Sequence, residues 1–368
     1  MEKGKDMDEK IMKLIGNFRI EGEPISAERF GEGHINETYL VKTSADGGER
    51  KYIFQKINSG LFPDAEKLMN NVKLVTEFNR KKIAERGGDP DRESLTIIYT
   101  NDGKPYLKTE CGNYRIYKYI DGVAYQVVEK PEHFYQSAVA FGNFANLLAE
   151  FDAKSLYEVL PDFHNTVKRF NDFKKSLALN ASGRADEVKK EIEFVLSREK
   201  YCDKITSLLN SGKMPTKVTH NDTKLNNVMF DKITGKYLAV IDLDTIMPGS
   251  ICYDFGDSIR FGCNPSTEDE RDLSKVNFDI NLFEQYAKGY LSAVGAGATA
   301  IERENLAFSS ILMTYECGMR FLADHIDGDK YFHISRENQN LDRARTQFKL
   351  IEDMEKLLPE MNAIVAKY

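Results

Sequence analysis

No stretch of this 368-residue chain approaches the ~18 to 20 consecutive apolar residues that a membrane-spanning helix needs. The five cysteines, Cys111, Cys202, Cys252, Cys263 and Cys317, are scattered and odd in number. None sits in a Cys-x-x-Cys or Cys/His pair at metal spacing, so a disulfide framework and a zinc site are excluded and reduced thiols are expected. Positive charge is not in excess: 51 Lys and Arg stand against 58 Asp and Glu, a net charge of −7. That balance disfavours nucleic acid or an anionic membrane surface as the main partner. The opening segment MEKGKDMDEKIMKLIG is charged and has no apolar signal-peptide stretch, so a cytoplasmic location is expected. There are no internal repeats and no low-complexity segment. What is there is the composition of a globular protein, 41% apolar and 30% charged, on a chain long enough to bury a sizeable core.

The first third alternates short strand-like runs with turns. Residues 36–57 read as a hairpin, YLV and YIF about an Asp-Gly-Gly turn. Residues 64–83 carry Leu68, Val72, Val75 and Phe78 at helical spacing, with Asp64 as a cap after Pro63. Two further strands, 95–99 and 114–120, precede Asp121-Gly122. From there helical patterns dominate: 131–151, 166–179, 185–209, 280–294, 301–325 and 339–367. Strands followed by helices predict an α+β fold in two lobes, residues 1–120 and 121–368.

Two polar strings interrupt this pattern, 219-THNDTKLNN-227 and 241-IDLDT-245. Between them Thr234-Gly235 marks a turn with strand-like residues on both sides. A hairpin there brings Asn227 and Asp242 together at its open end. An amide oxygen and a carboxylate are hard ligands of the kind Mg²⁺ takes. Asp222, five residues before Asn227, is then a carboxylate beside the metal pair. Phosphoryl transfer needs that set: a cation on the phosphates, an acid to receive the acceptor's proton, and a positive group such as Lys224 near the transferring phosphoryl. His220 is expected to brace the loop.

The string H220-N-D222-T-K224-L-N-N227 resembles the catalytic loop of protein-kinase-like enzymes, and Asp242 matches their metal aspartate. Because no glycine follows that aspartate, IDLDT resembles the aminoglycoside phosphotransferase and choline kinase group most. The resemblance implies the protein-kinase-like two-lobe fold, with a strand-rich nucleotide-binding lobe before a helical lobe, and implies ATP and Mg²⁺. It makes 254-DFG-256 a decoy, with Asp254 supporting the catalytic loop. It also makes 30-FGEGHINETYLV-41 the phosphate-covering turn, with Gly31 and Gly33 admitting anionic oxygens without a Cβ in the way. Gln55 holds the slot of the usual phosphate-binding lysine, and Lys56 points the other way by strand alternation. A partner for that slot at Glu66 or Glu77 is only a guess. Tyr117 and Tyr119 sit where a hinge would hold adenine.

Longer strings, among them LFPDAEKLMNNVKLVT, IDLDTIMPGS and ECGMRFLADHIDGDKYF, resemble bacterial N-acetylhexosamine 1-kinases. That resemblance implies an enzyme that transfers phosphate from ATP to the anomeric hydroxyl of N-acetylglucosamine or N-acetylgalactosamine; nothing in the sequence suggests an obligate interface, so a monomer is expected. It implies Asp222 as the base, Asn227 and Asp242 as metal ligands, and His34, Arg320 and Tyr331 as sugar contacts. Asp244 is a further candidate for a sugar hydroxyl or the metal shell. Another sugar, an aminoglycoside or an amino alcohol stays open as acceptor, since 268-EDERD-272 and 324-DHIDGD-329 could form an acidic rim. A nucleotide-binding regulatory module and a divalent-metal hydrolase also stay open.

Overall fold

The computed structural model describes residues 10–31 and 35–368. Six antiparallel strands form the first sheet: β1 (Glu23–Arg29), β2 (Glu37–Ala45), β3 (Gly48–Ile57), β4 (Ile97–Ile98), β5 (Leu107–Thr109) and β6 (Gly112–Lys118). Their order is β1-β2-β3-β6-β4, with β5 paired to β6. The β2–β3 hairpin closes through Asp46-Gly47, since Ala45 pairs with Gly48 and Gly47 takes a φ of +93°. Strand alternation then sorts the side chains. Tyr39, Tyr52, Phe54, Tyr114 and Ile116 pack with Ile11, Ile15 and Phe18 in an outer core. Thr38, Ile53, Gln55, Arg115 and Tyr117, on the opposite face, line a cleft.

Helix α1 (Ala65–Glu85) starts where the cap predicts, with Asp64 Oδ1 accepting from the Lys67 amide at 3.1 Å. Its apolar stripe, Leu68, Val72 and Val75, is fully buried. One polar residue on the helix, Asn71, is buried as well and stitches two distant segments together. Its Nδ2 donates to the carbonyls of Tyr157 (2.8 Å) and Ile246 (2.9 Å), and its Oδ1 accepts from the Tyr157 amide (2.9 Å). The main core therefore runs without a break from α1 and Ile57 into residues such as Phe141 and Phe255.

The remainder is helical: α2 (Pro131–Leu147), α3 (Thr166–Leu179), α4 (Lys189–Leu196), α5 (Lys204–Asn210), α6 (Ile251–Gly262), α7 (Ile280–Val294), α8 (Ala300–Asp327) and α9 (Gln339–Lys367). The single helix expected over 185–209 is two short ones, separated by 3₁₀ turns. Here Arg198 stacks its guanidinium on Phe194 and bonds Glu355 of α9, so packing against α9 overrides local periodicity. Two short ribbons carry the polar strings: β7 (Lys217–Thr219) with β10 (Met247–Gly249), and β8 (Val228–Phe230) with β9 (Tyr237–Val240).

The Asp-Phe-Gly string lies inside α6, so it forms no metal loop. Its glycine has a packing reason instead. A Cβ at Gly256 would lie 2.3 Å from the Ser309 carbonyl oxygen, the backbone of α8. Only a hydrogen fits between the two helices. Gly256→Val is therefore expected to cost about 1–3 kcal/mol or more of stability, measured by urea denaturation. A variant as stable as the parent would contradict this close crossing.

Candidate active site

The loop after β7 is buried, irregular backbone, so its polar groups need dedicated partners. Helix α6 supplies them. The Asp254 carboxylate accepts from the amides of His220 and Asn221, both at 2.8 Å. The Thr223 hydroxyl donates to the Asp254 carbonyl (2.6 Å), and the Ser258 hydroxyl donates to the Thr223 carbonyl (2.8 Å). Burial pushes the Asp254 carboxyl up to about 6, against the pull of His220 and the two amides, which favour the ionised form. His220 is wholly buried, edge-on to Phe141, with Nε2 bonded to the Ile241 carbonyl at 2.9 Å. It braces the loop from the far side. Asn221 takes a left-handed φ of +66°, which turns the next residue, Asp222, out of the core.

Asp222 and Lys224 meet there, Nζ to Oδ1 at 2.8 Å. Burial would push the Lys224 ammonium down, but the Asp222 and Asp257 carboxylates outweigh it and hold the group above its usual range. The hairpin predicted about Thr234-Gly235 forms: Val228 pairs with Val240, and the Ile241 amide donates to the Asn227 carbonyl at 2.9 Å. Asn227 and Asp242 thus end on one side of the ribbon and line the same cleft. Asn227 spends its Nδ2 on the Asp222 carbonyl (2.8 Å) and carboxylate (3.1 Å), leaving Oδ1 as its ligand end. Asp242 has a left-handed φ of +58° and makes no side-chain cap bond. Its carboxyl is pushed up to about 7, first by the protein crowding the cleft and then by the charges of Asp244 and Asp222. Because the side chain is open to the cleft, water tempers the first cause.

These two residues fit a divalent ion. A carboxylate crowded by like charge calls for a cation, and an amide oxygen stands beside it. Among the described residues no cluster of three or more His, Cys, Asp or Glu could hold a metal alone. Mg²⁺ suits such a partial set, because it takes its remaining ligands from water and phosphates.

The cleft under the sheet has a volume of about 330 Å³, and Gly31, Gln55, Tyr117, Tyr119, Asn227 and Asp242 all line it. Gly33 and His34 lie outside the described residues. The missing strand lysine is accounted for across the ladder, because Gln55 pairs with Arg115 on β6. Arg115 is 1% exposed; its Nε donates to Gln55 Oε1 at 3.0 Å and its Nη2 to Asp244 Oδ2 at 2.9 Å. Asp244 is the other end of this strut, and that corrects its expected role. Its Oδ1 takes a second bond from Arg115 and its Oδ2 one from Asn36 Nδ2 at 2.7 Å. Both oxygens are engaged and the side chain lines neither cavity, so it is placed for neither a sugar hydroxyl nor a metal. Neither Glu66 nor Glu77 lines the cleft; Glu77 bonds Tyr99 and Lys73. Arg115 could have been found in the sequence as a charge at an inward position of an alternating strand, 114-YRIYK-118.

A second cavity, about 560 Å³, opens on the other side of the loop, with Asp222 and Lys224 in its wall. Arg320 lines it as well. The Arg320 guanidinium sits over three rings, Phe163 (5.7 Å), Tyr331 (5.7 Å) and Phe332 (5.4 Å), and bonds the Tyr331 hydroxyl at 3.4 Å. Five further cavity residues pair among themselves or with neighbours, and of these only Glu268 was anticipated. Asp257 and Glu268 both bond Arg260, at 3.0 and 2.9 Å. Glu316, fully buried, accepts from His164 Nδ1 (2.8 Å) and the Thr166 hydroxyl (2.6 Å). The acidic strings once open as a rim are consumed structurally. Asp324 accepts the amides of Lys330, Tyr331 and Phe332, and Asp329 pairs with Arg184.

Residues 26–297 match the family described as "APH: Phosphotransferase enzyme family". The fold matches an aminoglycoside phosphotransferase from Alicyclobacillus acidocaldarius at a TM-score of 0.61 and 13% identity, covering 97% of this chain and 96% of that one. It also matches a choline kinase from Cryptosporidium parvum (TM-score 0.56, 14% identity, 98% and 99% covered). A spectinomycin phosphotransferase solved with ADP and spectinomycin gives a TM-score of 0.55 at 11% identity, with 93% and 97% covered. At these identities the likeness is one of fold, and it is the protein-kinase-like fold of small-molecule phosphotransferases. With the family match spanning most of its length, Asp222, Lys224, Asn227 and Asp242 included, the chain belongs to the phosphotransferase enzyme family, APH.

Proposed function

We propose that this phosphotransferase uses Mg²⁺ and ATP to phosphorylate the anomeric hydroxyl of an N-acetylhexosamine. The observation that carries the acceptor class is the Arg320 cage. Aromatic faces that would attract a cationic amino alcohol are already covered by the protein's own guanidinium. The acids of the same cavity are matched by Arg260, Lys224 and His164, so a polycationic acceptor would meet no uncompensated negative wall among the described residues. A neutral, hydroxyl-rich acceptor suits planar donors and ring faces, and the strings quoted above point to N-acetylhexosamines within that class.

Asp222 receives the hydroxyl proton as the new P–O bond forms and the bond to the ADP oxygen breaks. Lys224 holds Asp222 in place and adds positive charge near the transferring group. The cleft under the sheet holds the nucleotide, with Gly31 at the phosphates and Tyr117 and Tyr119 toward the base. Asn227 and Asp242 would hold Mg²⁺, which neutralises phosphate charge when bound. Arg320 and Tyr331 contact the sugar.

An acceptor panel with ATP and Mg²⁺, scored for ADP release and by phosphorus NMR, is expected to give N-acetylglucosamine or N-acetylgalactosamine 1-phosphate. Turnover confined to aminoglycosides or choline would overturn the acceptor reading. Asp222→Asn is expected to lower kcat by ~10²–10⁴ while sugar binding persists, and more than about a tenth of parental activity would contradict its role as base. Lys224→Ala should lower kcat more than it raises KM.

Asp242 supplies a pH signature. In the metal-free protein crowding and the charges of Asp244 and Asp222 raise its carboxyl above the 3.8 of an ordinary aspartate, up to about 7 before water at the open cleft tempers the shift. The protonated form therefore contributes stability that is full below about 4 and lost as pH rises through about 7. A bound cation requires the ionised form, so Mg²⁺ binding at pH 7 is expected to release part of a proton and to tighten as pH rises through 7. Calorimetry in two buffers of different ionisation enthalpy reads this directly. Proton uptake, or an Asp242→Asn variant with the same linkage, would rule it out.

A further inference from the structure

The two cavities share two residues among those described, Asn226 and Gln126. They come from different parts of the chain. Asn226 lies in the catalytic loop between Lys224 and Asn227, on a 3₁₀ turn pinned by the buried Leu225. Gln126 lies on the segment that joins the sheet to α2. That segment is fastened to the hairpin by a bridge between Val123 and Phe230, with amide-to-carbonyl distances of 2.9 and 2.8 Å. Gly122 permits the approach, since a Cβ there would lie 2.8 Å from the Phe230 carbonyl. The two side-chain amides then meet, Asn226 Nδ2 donating to Gln126 Oε1 at 3.2 Å.

The other end of the Asn226 amide has no such partner. Its Oδ1 is shut from solvent and hydrogen-bonded to nothing among the described residues. A buried amide oxygen is normally paired, and none of the neighbouring roles explains this one. The chemistry at the joint does. Phosphate oxygens are acceptors only, whereas an acceptor alcohol brings donors. An amide with a spare acceptor oxygen and a spare N–H matches both sides of a phosphoryl group in transit. The Asn χ2 torsion is soft, so the amide can turn to meet them while Gln126 limits its swing.

Resting on the phosphotransferase reading above, we propose that the Asn226–Gln126 pair positions the acceptor against the γ-phosphoryl group. Asn226 Oδ1 receives a hydrogen bond from the acceptor, and the remaining amide protons steady the phosphoryl oxygens. The pair acts on alignment: the P–O bond to ADP still breaks as the bond to the acceptor forms, and the proton still goes to Asp222. Its consequence is selectivity for the alcohol over water, because an acceptor held at the joint excludes water from it.

The test compares Asn226→Ala, Gln126→Ala and the double variant with the parent, using MgATP with and without N-acetylglucosamine. Expected for Asn226→Ala is a kcat for transfer lower by on the order of 10- to 100-fold, with KM for ATP within two-fold. The share of ADP formed without sugar phosphate should rise, because transfer falls by more than basal ATP hydrolysis does. Gln126→Ala should show the same pattern more weakly. The double variant should be no worse than Asn226→Ala, because the two act as one unit. Unchanged coupling of ADP to sugar phosphate in Asn226→Ala would overturn the proposal. So would a fall in basal hydrolysis of more than five-fold, which would place Asn226 on the nucleotide side alone. Should Asn226→Ala fail to fold, the exposed Gln126→Ala decides by the same ratio. If the parent itself makes no sugar phosphate, the acceptor reading is what has failed. The pair is then judged on basal hydrolysis and on whichever alcohol stimulates ADP release.

Discussion

The site depends on one carboxylate that does no chemistry. Asp254, in the first turn of α6, accepts the amides of His220 and Asn221. A loop that leaves β7, bends through a left-handed asparagine and exposes Asp222 has no ladder of its own. Buried backbone of that kind is stable only where each N–H and C=O finds a partner. Helix α6 answers with side chains and main chain together: Asp254 at both ends, Asp257 to the Thr223 amide, and Ser258 to the Thr223 carbonyl. Gly256 lets this same helix press against α8, so the loop is braced by the core and not by solvent.

The second constraint joins the sheet to the turn that carries Asp242. Arg115 and Asp244 are both buried, and an ion pair so placed is weak evidence of stability, since desolvation offsets the attraction. Its value is positional. The guanidinium fork accepts only one arrangement of the carboxylate. With Gln55 behind Arg115 and Asn36 beside Asp244, β2, β3 and β6 are indexed to the residue two positions after Asp242. A kinase-like fold that lacks the strand lysine thereby keeps a cation at the same place in the sheet, supplied from the neighbouring strand.

Much of this was legible in the chain. Asp222, Lys224, Asn227 and Asp242 sit in local motifs whose geometry one hairpin determines, and Gly235 marks that hairpin. The helices at 166–179, 280–294 and 339–367 follow from periodicity because each buries a continuous stripe. What escaped is what depends on long-range pairing. Asp244 looked like a ligand because it stands two residues from the candidate ligand Asp242, and only Arg115, 129 residues away along the chain, turns it inward. Asp324 and Glu268 looked like an acidic rim for the same reason. A carboxylate's availability is set by which cation or backbone amides fold onto it, and sequence spacing carries no trace of that. The segment at 185–209 failed differently, since contacts with α9 decide where its turns break.

Three aspartates crowd the joint between the cavities, and each receives a different treatment. Asp244 is neutralised from the sheet by Arg115. Asp222 is paired with Lys224, whose own charge Asp257 helps to hold. Asp242, among the described residues, has no ion pair and makes no capping bond, and the charges of the other two raise its proton affinity. With two of the three paired to neighbouring cations, Asp242 carries the least compensated charge at the joint. In the function proposed above, that leaves Asp242 to a cation and Asp222 to a proton, and the division between them is set by where Arg115 and Lys224 lie, more than by the aspartates themselves.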